Sequence, residues 1–305
     1  MEAALTKGTR TRYLKAIQNY LNNCDYVGDE PTTWTELDES VCDYLHRLYD
    51  KGDGRGKSEA SMLLSGLKFF LPGARQRLHL SRLAVRGWLR LVPPVSFPPL
   101  TWDLCCAMAI RMLMSGYEVY AVAILLQFDC LLRVSELVNL RKRDIVFQGD
   151  ARLGGEFKGC LLHLRHTKTG RDQSVTVDNP DVIQLLRRVH SRVRGPEDRV
   201  FPFRADQYRR VFKATAAALG LSPSYVPHSC RHGGATRMYQ RSPLAIEAIK
   251  LRGRWASTES ARRYIQQGVA LLARTDVPVA VAKAGTIFAQ YLFKSFSLAL
   301  SQRHK

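Results

Sequence analysis

Several residues along the chain have side chains suited to phosphate chemistry. In chain order they are Arg133, Glu136, Lys168, His228, Arg231, Trp255 and Tyr264. Breaking a phosphodiester without a metal requires fixed cations around the non-bridging oxygens, and arginine suits that role because its planar fork binds phosphate bidentately. The reaction also needs a nucleophile in line with the leaving group and an acid that protonates the departing oxygen. The set contains a candidate for each role.

The local context of these residues favours a shared site. Glu136 follows Arg133 by three residues, which is near enough to orient its guanidinium. Lys168 is predicted at a hairpin tip, from which a long side chain can reach into a groove. His228 and Arg231 fall at positions i and i+3 on one face of a helix that begins there, and the helix dipole would also favour a phosphate. Each residue alone is more typical of a surface, capping or packing role, so the prediction depends on the ordered set.

This ordered set resembles the signature of the tyrosine recombinases, the group of phage integrases and Cre- or Xer-like enzymes. Their signature has an arginine in L-R-x-S-E-L, a hairpin lysine in T-K-T-G, an H-x-x-R helix, a histidine or tryptophan after a glycine, and a nucleophilic tyrosine. The chain carries every element in that order, over roughly residues 100–268. The run from Arg231 to Ala235 is similar to integrases of eukaryotic mobile elements of the Crypton and DIRS-like kind.

The resemblance implies a reaction and a role for its main residues. Tyr264 would attack a DNA phosphate to give a 3′-phosphotyrosyl intermediate and release a 5′-hydroxyl. Arg133 and Arg231 would bind the non-bridging oxygens, and Lys168 would protonate the leaving oxygen. The covalent bond would store the phosphodiester energy, so the resemblance implies no metal, ATP or other cofactor.

The remaining residues would assist this reaction. The resemblance implies that His228 takes part in proton transfer and that Glu136 supports the arrangement. Trp255 would donate its indole N–H or pack against the site; most members have histidine there, although some active members also have tryptophan. Gly233 and Gly234 each weaken a helix by about 1 kcal/mol relative to alanine, so we expect another backbone to approach closely at this pair.

The charge of the chain predicts a polyanionic partner. The sequence has 46 lysines and arginines against 27 acidic residues, a formal net charge of +19 at pH 7. Such a surplus is typical of proteins that bind nucleic acid or an acidic membrane. Apolar stretches such as 121–126 and 287–300 are too short or too interrupted to span a bilayer, so double-stranded DNA is the expected partner and a membrane is not. The predicted DNA contacts are Lys57, Lys68, Arg141, Lys142 and Arg143.

Apolar periodicity predicts a mainly α-helical protein with a small β-sheet (α+β). Four helical stretches fill residues 9–91, and the proline-rich linker 93–100 separates the N-terminal domain, 1–92, from a second domain, 101–270. The resemblance implies that the first is a core-binding domain and the second the catalytic domain. A β-hairpin is predicted over 160–177. The other predicted elements of the second domain are helices at 101–114, 117–132, 180–194, 205–219, 229–240, 243–252 and 258–267.

Some predicted details concern the surroundings of the tyrosine and the C-terminus. Ser242 and Pro243 predict a helix start, Gly253 predicts a helix stop, and Tyr264 falls on the following helix. The apolar tail, 271–305, has two interpretations. It fits a core element, and the resemblance equally implies a helix that docks into a neighbouring protomer, within a tetramer on DNA.

The cysteines and histidines argue against metal and disulfide chemistry. Seven cysteines, with no C-x-x-C pair, indicate reduced thiols in an intracellular protein. His163 and His166 are three apart in a predicted strand and would point to opposite faces, so they are not expected to form a metal site. The sequence does not begin with a signal peptide, and we expect nuclear localisation in a eukaryote or cytoplasmic localisation in a prokaryote.

Two other functions stay open from the sequence. A type IB topoisomerase would use the same tyrosine chemistry to relax supercoiled DNA, although the compact size and the helical N-terminal region favour a recombinase. A DNA-binding descendant that retains the fold without catalysis is the second alternative, and the intact residue set argues against it. The sequence does not determine the target site, or whether Tyr264 attacks in its own protomer or in a neighbour.

Overall fold

The apolar periodicities produce a helical architecture in two units. The computed structural model describes residues 5–93, 96–150, 159–167, 170–243 and 245–303, with the backbone alone at His166, Arg171 and Arg303. Pro94 and Val95 of the predicted linker, Lys168 and Thr169 of the predicted hairpin turn, and Leu244 lie outside the described residues. The chain divides into a first unit, Met1–Ser96, and a second unit, Phe97–Lys305.

The first unit is built from the four long helices that the periodicity predicts. They are α1 (Lys7–Val27), α2 (Trp34–Lys51), α3 (Lys57–Phe70) and α5 (His79–Leu91), with the one-turn helix α4 (Ala74–Arg77) before the last. The side chains of Val41, Leu45 and Leu63 are buried between them. Helix α5 has no local side-chain cap, and the carboxylate of Asp38 on α2 accepts hydrogen bonds from the backbone of Ser81 and its neighbour instead. This contact ties the start of α5 to α2.

The second unit surrounds a small sheet with helices, which confirms the predicted mainly α class. Its helices are α6 (Trp102–Met114), α7 (Glu118–Asp129), α8 (Val134–Val138), α9 (Pro180–Ser191), α10 (Ala205–Ala218), α11 (His228–Arg241), α12 (Ile246–Gly253), α13 (Thr258–Arg262), α14 (Gln267–Thr275), α15 (Val279–Gln290) and α16 (Leu292–Arg303). The antiparallel strands lie in the order β1 (Ile145–Phe147), β2 (Cys160–Thr167) and β3 (Gly170–Val177). The predicted hairpin corresponds to β2 and β3. Strand β1 was not predicted, because three residues are too few to show a period.

Helix α7 runs through the core of the second unit. Every residue from Ala121 to Phe128 is buried, so the helix has no solvent-facing stripe. Helix α6, for which Thr101 is the N-cap, packs beside it. A helix that is apolar on all sides is typical of a central position.

The glycine pair of α11 lets this helix lie directly against its neighbours. A Cβ on Gly233 would overlap the carbonyl oxygen of Leu100, and a Cβ on Gly234 would overlap the carbonyl oxygen of Phe128. The expected close backbone approach is therefore confirmed. The two glycines reduce the stability of the helix, and the close contact that they permit offsets this loss.

The C-terminal helices pack within the second unit in this chain. Helices α15 and α16 both contact α6, and Leu292, Phe296 and Leu300 belong to the buried core. Gly285 allows α15 to approach α6, since a Cβ there would lie 2.7 Å from the carbonyl oxygen of Asp103. In the described parts of the chain, none of the helices combines the length and apolar character needed to cross a membrane.

The boundaries of α12 differ from the prediction. The helix begins at Ile246 rather than Pro243, because the N–H of Ser242 continues the hydrogen bonding of α11 by donating to Met238. Gly253 is still helical, and the left-handed residue that ends the helix is Arg254, with φ 54°. The helix therefore begins three residues later than predicted and ends one residue later than predicted.

The position of Tyr264 also differs from the prediction. Helix α13 ends at Arg262, and Tyr264 lies in the turn that follows rather than on the helix. Its N–H donates to the carbonyl of Ala261 at 2.9 Å, and its carbonyl accepts from Oγ1 of Thr236 at 3.2 Å. This turn is thereby attached to α11.

Candidate active site

Arg133 and Glu136 form an ion pair at the first turn of α8. The preceding helix ends at Asp129 rather than at Leu132 as predicted, because Leu131 turns the chain with a left-handed φ of 51°. Arg133 is then the N-cap of α8; its N–H donates to Oε2 of Glu136 at 2.8 Å and its Nη1 to Oε1 at 2.6 Å. Burial would raise the pKa of Glu136, but the charge of Arg254 and the hydrogen bond and charge of Arg133 together lower it. The carboxylate is therefore ionised.

Arg231 is fully buried on α11, and its guanidinium joins two other segments. Nη1 donates to the carbonyl of Leu131, and Nη2 donates to the carbonyl of Gly253. Within the described residues, Nε has no hydrogen-bond partner. Burial, followed by the positive charges of Arg133 and Arg254, lowers the pKa of Arg231. A buried guanidinium with a spare donor is suited to binding an anion.

The ring of Tyr264 is enclosed by side chains from three directions. Its hydroxyl oxygen lies 3.2 Å from Nε2 of His228. The ring stacks on His232 at 4.5 Å between centroids and packs against Trp255 at the same distance. The guanidinium carbon of Arg231 lies 5.4 Å from the centre of the tyrosine ring. The structure thus brings the tyrosine and this arginine together.

Both histidines at the start of α11 are neutral at neutral pH. Burial, followed by the charges of Arg231 and Arg133, lowers the pKa of His228 to about 4. Burial, followed by the charges of His228 and Arg231, lowers the pKa of His232 to about 4. When Nδ1 of neutral His228 carries the proton, Nε2 has a lone pair that faces the Tyr264 hydroxyl. That nitrogen can accept the phenolic proton.

Trp255 covers the site from the end of α12. A Cβ on Gly253 would overlap the indole ring, so this helical position needs glycine for packing. The indole is buried, and its Nε1 has no hydrogen-bond partner in the part of the chain that the structure describes. A buried donor left unpaired costs about 1–3 kcal/mol, which favours a ligand atom that would accept from it.

Three of the predicted DNA contacts, Arg141, Lys142 and Arg143, lie in a short turn before β1. Arg141 and Arg143 both pair with Glu197, while Nζ of Lys142 donates to a backbone carbonyl of the loop after α9. The two arginines line a cavity of about 410 Å³ that also reaches Glu136. They are therefore near the Arg133 element but outside the cluster around Tyr264.

The other predicted contacts belong to the first unit or are not described. Lys57 donates to the carbonyls of Val92 and Pro93, each at 3.2 Å. Lys68 is half-buried, and burial followed by nearby arginine charges lowers its pKa. Lys168, the predicted acid, lies outside the described residues.

Two residues of the cluster were missed by sequence reasoning. His232 directly follows Arg231 and stacks on the tyrosine, and its only signal was its place beside the arginine. Arg254 lies between the predicted helix stop and Trp255, and Nη2 of Arg254 contacts Glu136 at 2.8 Å. Charged residues at predicted helix ends are usually solvated, so nothing in the local sequence indicated a buried role.

Comparison with known families is consistent with this arrangement. The sequence profile of the phage integrase family matches residues 108–269, a span that contains the whole predicted catalytic set. This chain belongs to the phage integrase family. No curated protein sequence matches it.

Several solved structures of recombinases and integrases are similar to this chain, and the first of those below supports the fold. A lambda integrase dimer bound to a COC′ core site has 17% identity and a TM-score of 0.60, covering 87% of this chain and 90% of that one. XerA recombinase has 16% identity and a TM-score of 0.44, covering 95% and 94%. The Tn1549 transposon integrase in complex with transposon right end DNA has 14% identity and a TM-score of 0.45, covering 86% and 98%.

Proposed function

We propose that this protein is a site-specific DNA recombinase that cleaves and rejoins DNA through a covalent 3′-phosphotyrosyl intermediate on Tyr264. The observation that carries the proposal is the 3.2 Å contact between the Tyr264 hydroxyl and the neutral His228 ring, beside the buried guanidinium of Arg231. Membership of the phage integrase family supports the same reaction class. Relaxation of supercoiled DNA without strand exchange, and DNA binding without cleavage, are the alternatives that the experiment below separates.

The cleavage step begins at the tyrosine. His228 accepts the phenolic proton while the oxygen of Tyr264 forms a bond to phosphorus, and the bond from phosphorus to the 5′-oxygen breaks. The leaving 5′-oxygen takes a proton from Lys168 and departs as a hydroxyl. Rejoining reverses these transfers with a 5′-hydroxyl as the nucleophile, so the reaction consumes no cofactor.

The charge of the transition state falls on the non-bridging oxygens. Arg133 and Arg231 would neutralise it, and Nε1 of Trp255 would donate a further hydrogen bond. Fixed guanidinium groups supply the positive charge that a metal ion supplies in other phosphoryl-transfer enzymes, so we propose metal-independent cleavage.

The proposed partner is double-stranded DNA. The net charge of +19 supports it, and one structural neighbour is a lambda integrase bound to its core site. We propose that residues 1–92 form a core-binding domain joined by the linker 93–100 to the catalytic domain, 101–270. Helices of the tail 271–305 contact α6 of the same chain, and we propose that in a tetramer on DNA the tail docks on a neighbouring protomer instead.

A covalent trapping experiment tests the proposal. The protein is incubated in EDTA with DNA duplexes nicked beside candidate cleavage sites, so that the short product strand diffuses away. We expect a protein–DNA adduct that resists SDS and is lost in Tyr264→Phe. Tight DNA binding without an adduct would favour the non-catalytic alternative, and an adduct that requires magnesium would contradict the mechanism. Sequence-independent relaxation of plasmid DNA would favour the topoisomerase alternative.

A further inference from the structure

Arg254 is a buried cation that belongs to no sequence motif. Its guanidinium contacts Glu136, which also binds Arg133, and the Leu131 carbonyl, which also binds Arg231. Its side chain is 3% exposed, and Nη2 donates to Oε2 of Glu136 at 2.8 Å. The same carboxylate accepts from Nη1 of Arg133 through its other oxygen. The guanidinium groups of Arg254 and Arg133 are therefore held on opposite oxygens of one carboxylate.

Arg254 reaches the second arginine through a backbone carbonyl. Its Nη2 also donates to the carbonyl of Leu131 at 3.0 Å, which is the acceptor used by Nη1 of Arg231. Nη1 of Arg254 donates to the carbonyl of Arg252 at 2.7 Å. The guanidinium of Arg254 is therefore directed at the Glu136 carboxylate and at backbone carbonyls.

The backbone at this position indicates that the arginine itself is needed. Arg254 adopts a left-handed φ of 54°, a conformation that favours glycine, and Leu131 does so at 51°. Strained residues of this kind persist where the surrounding contacts require them, often at functional sites. Two such residues meet here in a single hydrogen bond between the Arg254 side chain and the Leu131 carbonyl.

The charge balance of the cluster also depends on Arg254. Arg133, Arg231 and Arg254 carry three positive charges against the single negative charge of Glu136. A phosphodiester carries one negative charge, and the transition state formed by a tyrosine oxygen carries more. The net positive charge of these four groups therefore matches the negative charge of the transition state that the site would stabilise.

We propose that Arg254 is a positioning residue, which holds Arg133 through Glu136 and Arg231 through the Leu131 carbonyl in the geometry that binds the scissile phosphate. This inference rests on the proposed function. It predicts that Arg254 affects the chemical step rather than DNA affinity, since its buried side chain presents almost no surface to a duplex. A purely structural role would instead reduce stability without a specific effect on the phosphate.

The first test compares Arg254 with a matched buried arginine. Arg252 lies two residues earlier, is 10% exposed, and pairs with Asp129 and Asp178 away from the tyrosine. We expect Arg254→Met to slow single-turnover adduct formation on nicked DNA by about 100-fold, the scale of losing one transition-state donor, while the DNA Kd changes by less than about threefold. Arg252→Met should lower the melting temperature but leave the rate within about threefold of wild type.

A conservative variant covers the case in which Arg254→Met does not fold. Arg254→Lys keeps the buried charge but replaces the planar fork with one ammonium group, which cannot reproduce the fork geometry at both Glu136 and Leu131. We expect an intermediate loss of rate of about tenfold, between wild type and a missing donor. Each variant is assayed at a temperature where its thermal unfolding curve shows it to be folded.

Two further readouts separate positioning from structure. On DNA with a neutral methylphosphonate at the scissile position, wild type and Arg254→Lys should react at rates within about threefold, because the charge that the arginines bind is absent. Arg254→Lys should slow the reaction by a smaller factor in the Arg133→Lys background than in wild type, because one of the two arginines that Arg254 holds is already changed there.

The outcomes distinguish this inference from the proposed function. Additive effects of the two substitutions, or an equal rate loss on both substrates, would overturn the positioning role and leave the proposed function intact. A rate of adduct formation in Arg254→Lys equal to that of wild type would also overturn the positioning role and leave the proposed function intact. A wild-type protein that forms no adduct with any nicked duplex would overturn the proposed function and this inference together.

Discussion

At the scale of single residues, the site combines buried cations with neutral histidines. His228 and His232 are held in their neutral form mainly because burial disfavours the charged ring. Neutral His228 is an acceptor for a phenolic proton, whereas a charged imidazolium would not be. The same burial that prepares the base also makes the folded protein sensitive to acid.

This sensitivity predicts how stability depends on pH in the DNA-free protein. The pKa of His232 falls to about 4 on folding, so the unfolded chain binds more protons as the pH drops from about 6.5. The free energy of unfolding should therefore decrease from about pH 6.5 to about pH 4, and less steeply in His232→Phe. Urea unfolding of both proteins across this range measures the slopes, with about pH 8 as the baseline where the ring is neutral in both states. Parallel slopes would contradict this prediction.

Removal of His228 should make the rate of DNA cleavage depend on the concentration of hydroxide. Without an acceptor for the phenolic proton, His228→Gln should form adduct about 10²–10⁴-fold more slowly near neutral pH. Hydroxide would then have to accept the phenolic proton, so the rate should rise as the pH is raised. Adduct formation measured against pH, with wild type as the control, checks this. A variant rate that stays flat with pH would rule out His228 as the base.

At the scale of elements, short backbone features position the cluster. Leu131 and Arg254 turn the chain in left-handed conformations, and the first brings Arg133 to the start of α8. Gly233, on the helix that carries His228 and Arg231, allows that helix to contact the chain at Leu100. A change in any of these features would displace Arg133, His228 or Arg231 without altering those side chains.

Two mid-helix glycines give a matched comparison of this packing. Gly233→Ala should lower the free energy of unfolding by about 1–3 kcal/mol or more, because its Cβ would overlap the Leu100 carbonyl oxygen. Gly87→Ala in α5 meets nothing within 4 Å, and it should raise stability by up to about 1 kcal/mol through helix propensity. Denaturant unfolding of the intact chain compares the two variants. Equal effects would show that packing at Gly233 is not what requires glycine.

At the scale of the whole molecule, the excess of positive charge governs association with DNA. A protein that neutralises many phosphates releases counterions, so its affinity falls steeply with salt. We expect the apparent Kd for duplex DNA to weaken by about 10³-fold or more between about 50 and 200 mM salt. Fluorescence anisotropy at several salt concentrations measures this, and a weak dependence would argue against DNA as the principal partner.

Substitution of Lys68 tests whether the first unit contributes phosphate contacts to DNA binding. It is a predicted DNA contact whose surroundings include other basic side chains. If it contacts a phosphate, Lys68→Gln should reduce the slope of log affinity against log salt by about one. Lys57→Gln should change the slope less, since the ammonium group of Lys57 already donates to the Val92 and Pro93 carbonyls. The reverse order would show that Lys57 is the phosphate contact.

The amphipathic periodicities were sufficient to predict most of the elements. The four long helices of the first unit, α6 and the hairpin of β2 and β3 follow from repeated spacing over eight or more residues. Strand β1 and helix α8 are too short to show a period. The end of α13 could not be predicted because the turn at Tyr264 depends on a hydrogen bond to Thr236, 28 residues earlier in the chain.

By itself, the sequence determined the chemical character of the site. The order of Arg133, His228, Arg231 and Tyr264 predicts phosphoryl transfer, because local motifs record side-chain types and helical spacing. Only the tertiary structure decided how these groups meet. The contact between Arg254 and Glu136 joins residues 118 apart, and it requires two left-handed turns and a buried helix end. No local pattern encodes such a contact, because its free energy arises from burying charges that the fold brings together.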